Sequence, residues 1–175
     1  MGCRWRPSFT PHQMLALFLI VERNRGTHSK WHPYIMCLPT EDTLPHYFCH
    51  EELNALPPHV SLVAQRMVQR SRHAHEKVLK FCAAHWEDAD CWATWDNFCW
   101  AWCSISSRSV FLEAEEAAKP FLDLDTEEEN NMALCPYLDL LNHTSTARVR
   151  GSVVLGLVSH TLCAVIVLSS AMSVA

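Results

Sequence analysis

Trp92, Trp95, Phe98, Cys99, Trp102 and Ile105 recur at steps of three and four residues, the spacing that stacks side chains on one face of an α-helix. A helix from Thr94 to Ser106 is therefore predicted, with a heavy buried stripe. Each tryptophan or phenylalanine carries roughly 150–250 Å² of surface, so this stripe supplies most of the aromatic core. Tryptophans at helical spacing pack more often than they cage a methylated ammonium.

Two further helices are legible. Thr10-Pro11-His12-Gln13 is a capping box with proline at the first helical position, so a helix begins at Pro11. It runs through Met14, Leu15, Leu17, Phe18, Leu19, Ile20 and Val21. That run is apolar on nearly every face and asks for burial on several sides. Gly26 is placed to end it. Trp31-His32-Pro33-Tyr34 and Leu38-Pro39 read as an extended connection, because proline biases its predecessor away from helix.

From His59 to Trp86 the apolar positions Val60, Val63, Met67, Val78, Leu79, Phe81 and Cys82 predict a long amphipathic helix, its pattern imperfect around Ser71-Arg72-His73. Its other face carries Arg66, Arg70, Arg72, Lys77 and Lys80. A basic face of this kind is ordinarily solvated, and no aromatic side chains interleave it as single-strand binding requires. Direct nucleic-acid binding is not expected.

Composition sets the outer limits. A chain of 175 residues is long enough for one domain with a real core. A net charge of −5 and a pI near 6.1 give no overall attraction to nucleic acid or anionic lipid. Nine cysteines, an odd number with no C-x-x-C pair, read as reduced thiols. The first residues show no apolar signal-peptide core. A cytoplasmic or nuclear location follows as the expectation. Arg6 stands where a myristoylation motif wants Ser or Thr.

Several chemistries drop out. His46, Cys49, His50, Cys82 and His85 invite zinc, but the spacing is loose and two of them fall on a predicted helix without a turn between them; no metal is expected. Glu113 to Asn131 contains eight acidic residues, yet lacks the glycine a calcium loop needs; an acidic loop is the expectation. The chain has four glycines and no G-x-S-x-G elbow, which excludes a serine-hydrolase turn, a P-loop and a dinucleotide fingerprint.

Two landmarks carry a family resemblance: Trp100-Ala101-Trp102-Cys103 leading to Arg108, and Pro136-Tyr137-Leu138-Asp139-Leu140-Leu141-Asn142-His143. Weaker ones are Trp31-x-Pro33-Tyr34-x3-Leu38-Pro39, Glu52-Leu53 and Leu56-Pro57. From the first helix to His143 the chain resembles the SET-domain lysine methyltransferases with a long helical insertion, the group that includes the Rubisco large-subunit and actin-histidine enzymes.

The resemblance implies S-adenosylmethionine as cofactor and a lysine-bearing protein, such as a histone, as substrate. It implies that Arg108, Asn142 and His143 line the cofactor pocket, with the Asn142 side chain near the methionine ammonium, and that Asp139 sits beside the substrate tunnel. It also implies two further segments: an early glycine-bearing strand around the cofactor and a late active-site tyrosine after the Asn-His step. Tyr34, Tyr47 and Tyr137 all precede Asn142, and no glycine lies between Gly26 and Gly151. The chain therefore reads as a truncated form with little or no turnover, and no catalytic residue is assigned. A non-catalytic interaction module is the alternative.

Residues 151–175 carry no formal charge and follow Arg148 and Arg150. As a helix at ~1.5 Å per residue they would reach ~37 Å, enough for a hydrocarbon core of ~30 Å. A tail-anchored membrane protein is one expectation. A β-rich segment is the other, since Val, Ile and Thr favour strands. The fold class expected is α+β, predominantly α: a partial SET domain over 1–143 and an apolar tail over 144–175, with short strands near Trp31 to Leu38 and Val110 to Leu112.

Overall fold

A computed structural model describes residues 9–40, 42–111, 132–136, 138–140, 149–158 and 161–170. The chain forms two compact units, Met1–Ser109 and Val110–Ala175. The fold is predominantly helical, as the sequence predicts.

The first unit begins with helix α1, Pro11–Asn24. The Thr10 hydroxyl accepts from the Gln13 backbone N–H at 3.3 Å, and the Gln13 side chain accepts from the Thr10 N–H at 3.0 Å, satisfying two of the helix's orphan donors. Gly26, at φ +55°, turns the chain out of the helix in the left-handed region that glycine adopts without strain. The expected burial on several sides does not occur. Gln13, Ala16, Leu19, Ile20 and Glu22 are buried, whereas Met14 and Phe18 reach the surface. α6 supplies most of the cover, with α2 and α4 also touching the helix.

Buried Glu22 is held by the Ser29 hydroxyl at 2.5 Å and by Arg25 Nη1 at 2.8 Å. The Ser29 hydroxyl also accepts from the Trp31 N–H at 3.0 Å, which ties the following turn back to the helix. The Ser29 hydrogen bond, followed by those of Arg25, holds the Glu22 carboxyl below its ordinary range against the opposing effect of burial.

The strand expected near Trp31 to Leu38 is corrected. The short helix α2, His32–Ile35, occupies it. Pro33 falls in the first turn, where a missing N–H removes no hydrogen bond. Ile35 and Leu38 are buried.

Helix α3, His50–Ala55, opens with Glu52 accepting from the Cys49 N–H at 2.8 Å. Helix α4, Pro58–His85, is one uninterrupted element of 28 residues. Its buried stripe is Ala64, Ser71, Ala74, Val78 and Cys82, while Val60, Val63 and Met67 are 40, 55 and 42% exposed. The face turned inward is thus the small one. The helix continues through Ser71, as expected of one long helix, and the Ser71 hydroxyl donates to the Val68 carbonyl at 2.8 Å, a back-bond that a helix tolerates.

Helix α5, Ala89–Trp92, leads into helix α6, Trp95–Arg108, whose N-cap Thr94 accepts from the Asn97 N–H. Phe98 to Ala101 and Cys103 to Ile105 are buried, so α6 is the axis of the unit. Trp95 and Trp102 are half-buried. Arg72 lies over the Trp95 ring at 4.2 Å, and His12 stacks on Trp102 at 3.8 Å.

Strand β1, Ser109–Phe111, meets the expectation for residues 110–112 and pairs with β2, Met132–Leu134. Strands β3, Val149–Val158, and β4, Thr161–Ser170, form an antiparallel pair with Val154 opposite Val165. The apolar tail is therefore strand rather than one helix, in line with its β-branched composition. Among the described residues no helix is long and apolar enough to cross a membrane. The acidic run expected as a loop over 113–131 lies outside the described residues.

Candidate functional site

One weaker landmark, Leu38-Pro39, and one strong landmark, Trp100-Ala101-Trp102-Cys103, meet in the first unit. Trp100, 5% exposed, donates its indole N–H to the Pro39 carbonyl at 2.8 Å across 61 residues. The Arg23 guanidinium lies over the same ring at 4.2 Å, an arrangement that attracts a cation to the ring face. Trp100 thus ties the Leu38-Pro39 loop, α1 and α6 together through two contacts.

Cys99 and Cys103 follow one helical turn apart beneath Tyr47. The Cys103 thiol and the Tyr47 hydroxyl hydrogen-bond toward Cys99, which favours the Cys99 thiolate and pushes Cys103 up. Burial, above all, pushes Tyr47 up. The last turn of α6 carries back-bonds from Ser106 to the Trp102 carbonyl and from Ser107 to the Cys103 carbonyl, both 2.9 Å.

Arg108 closes that turn, half-buried. A cation at a helix C-terminus is favoured by the macrodipole. Asp139 stands in the second unit, half-buried in a 3-10 turn over Leu138–Leu140. Its N–H donates to the Cys135 carbonyl at 3.3 Å. Burial first, and the Asp139 charge second, push the Cys135 thiol up. Asn142 and His143 lie outside the described residues, as does Tyr137. Of the four expected cofactor and tunnel residues, two are thus described, one in each unit.

The zinc constellation weighed from sequence has Cys82 buried while Cys49, His50 and His85 are exposed. Among the described residues no three His, Cys, Asp or Glu side chains are grouped as metal ligands. Cys37, Cys49, Cys82, Cys91, Cys99, Cys103 and Cys135 are free thiols. Sequence reading missed the role of His46 and Arg70, which meet at a cavity in the first unit. No sequence signal points to it, because its walls come from segments up to 96 positions apart, Thr10 to Ser106.

The chain is homologous to SET-domain methyltransferases. It is 30% identical over 156 residues to SET domain-containing protein 4 of Homo sapiens, covering 85% of this chain. It is 28% identical over 138 residues to the ribosomal lysine N-methyltransferase set10 of Schizosaccharomyces pombe, covering 78% of this chain and 23% of that protein. To the actin-histidine N-methyltransferase of Mus musculus it is 26% identical over 146 residues, covering 75% of this chain and 21% of that protein. The chain spans about a third of the length of SET domain-containing protein 4, at 34%. No family model matches the chain, and no solved structure matches it.

Proposed function

We propose that residues 1–143 supply the helical insertion and one wall of the cofactor pocket of an S-adenosylmethionine-dependent protein-lysine methyltransferase, and that this chain alone turns over little or not at all. The observation that carries this reading is the Trp100 to Pro39 hydrogen bond. It joins two landmarks of the resemblance far apart in the chain and anchors the helix that ends in Arg108. The names of the relatives support a protein substrate, a ribosomal lysine in one case and an actin histidine in another.

The donor set suits adenosylmethionine in kind. Arg108, half-buried at a helix end, offers a guanidinium suited to a carboxylate, and Asn142 offers an amide. By the resemblance alone, His143 is a further cofactor residue and Asp139 the residue of the lysine tunnel. The cofactor supplies an electrophilic methyl group on a sulfonium. The protein's part in such a displacement is alignment and exclusion of water around a neutral amine. Low turnover is expected because the residues after Asn142 contain no tyrosine, and no glycine stands between Gly26 and Gly151.

The test is transfer of labelled methyl from S-adenosylmethionine to histone or ribosomal protein lysines. Background-level transfer is expected; robust transfer that is lost in Asn142→Ala overturns the low-turnover claim.

A second reading is a non-catalytic interaction module, cytoplasmic or nuclear, that competes for partners of a catalytically complete relative. Exposed Val60, Val63 and Met67, spaced to share one face of α4, favour it, since contiguous exposed apolar surface marks contact sites. A membrane role for residues 151–175 stays with this second reading as a further proposal. Unchanged carbonate-wash partitioning after their deletion would end it.

A further inference from the structure

A cavity of 590 Å³ opens in the first unit, among the start of α1, the turn at Pro45–Tyr47, the middle of α4 and the second half of α6. Its size falls in the range of roughly 300–1,000 Å³ typical of small-molecule sites. Leu44, Met67, Ala74 and the Trp102 ring give it apolar walls. His12 closes one side, stacked on Trp102 at 3.8 Å with its Nε2 3.2 Å from the Trp102 carbonyl.

His46 is different. Both of its ring nitrogens are buried, and neither has a hydrogen-bond partner. A neutral imidazole offers one donor and one acceptor, and buried polar atoms left unpaired in a folded protein call for a reason. Arg70 lines the same space, exposed on α4. His73 lines it as well, with Glu76 3.8 Å from its ring, and Asp42 lies within electrostatic reach of His46. No acidic side chain is among the lining residues.

We propose that this cavity binds a small aromatic monocarboxylate, its ring against Trp102 and Met67, its carboxylate paired with Arg70 and accepting a hydrogen bond from His46. The chemistry is complementary at Arg70, at the His46 donor nitrogen and at the apolar walls. The guanidinium fork matches a carboxylate in two parallel hydrogen bonds, the His46 N–H gains an acceptor, and an aromatic body occupies walls that water leaves poorly satisfied. None of the residues assigned to methyl transfer is among the cavity's lining residues, so the titration tests it apart from that reading.

The experiment is calorimetric titration of the full chain with 2-naphthoate and, separately, with the neutral 2-naphthamide. Saturable, sub-millimolar binding of 2-naphthoate is expected, in keeping with the modest efficiency of a ligand of this size. Loss of the charge should weaken it about tenfold in 2-naphthamide, and Arg70→Gln should weaken 2-naphthoate about as much. Arg70 is exposed, so this variant keeps the fold, which far-UV dichroism checks. The nitrogen resonances of the His46 ring should shift on adding 2-naphthoate in the parent protein. No saturable binding up to about 5 mM, equal affinity for acid and amide, or an unchanged affinity in Arg70→Gln each overturns the proposal.

Discussion

The indole N–H of Trp100 on α6 points at the backbone carbonyl of Pro39, 2.8 Å away and 61 residues earlier in the chain. This bond makes the loop after α2 part of the same packed unit as the central helix. Trp100→Phe keeps an aromatic ring under Arg23 but removes the donor, leaving the Pro39 carbonyl short of a partner. We expect a loss of about 1–2 kcal/mol in unfolding free energy, measured by urea denaturation. A variant as stable as the parent would mean that the bond contributes nothing net.

The buried face of α4 is its small-residue face. Ser71→Leu adds bulk at a position that is 0% exposed and should destabilise by about 1–3 kcal/mol. Val63→Ser, at a position 55% exposed, should stay within about 0.5 kcal/mol of the parent. A reading of α4 from its large apolar residues predicts the opposite order. Parallel denaturation curves of the two variants decide between them.

Acid should weaken the fold in a defined direction. Burial is the main reason the His12 and His46 rings titrate below their ordinary value; the Trp102 carbonyl at His12 and the Asp42 charge at His46 oppose it. The unfolded chain therefore binds more protons at these rings, and their contribution is intact above the ordinary histidine value and falls as pH drops through it. Glu22, held low first by Ser29 and then by Arg25, adds a loss at lower pH, below the ordinary carboxylate range. The urea midpoint should fall between about pH 7.5 and about pH 5.5, and His46→Phe should flatten that slope. A midpoint flat across this interval would contradict the burial of both rings.

The tail can be read by cross-linking. Val154 and Val165 are direct partners across β3 and β4, and partners in an antiparallel pair have Cα atoms roughly 4.5–5.5 Å apart, within disulfide reach. In one continuous helix the same residues would stand ~16 Å apart. Val154→Cys with Val165→Cys should close an intrachain disulfide under mild oxidation, located by peptide mass mapping against the native thiols. Failure to close would favour the helical form.

Local chemistry was the legible part of the fold. The Thr10 and Gln13 capping box, proline at the first position of α1, the Gly26 exit and the Thr94 cap each act within four residues, so the sequence displays them directly. On α4, Val78 and Cys82 are buried as expected, while Val60, Val63 and Met67 were misread because burial follows what a helix packs against. Ala64, Ser71 and Ala74 offer little hydrophobic signal but leave room for neighbouring helices. Trp31 to Leu38 was misread because Pro33 suits a first helical turn as well as an extended link. At the candidate site, Arg108 and Asp139 were recognisable only through their landmark context. His46 and Arg70 had none, since their meeting depends on tertiary packing between a turn and a helix.

As proposed above, this chain retains one wall of an adenosylmethionine pocket. Calorimetric titration of the full chain with S-adenosylmethionine tests it most directly, beside Arg108→Ala and Asn142→Ala. The account predicts saturable binding at about micromolar to sub-millimolar concentration, weakened about tenfold or more in each variant through loss of a hydrogen bond to a charged group. No detectable heat at millimolar cofactor, or equal binding by the parent and both variants, would contradict it.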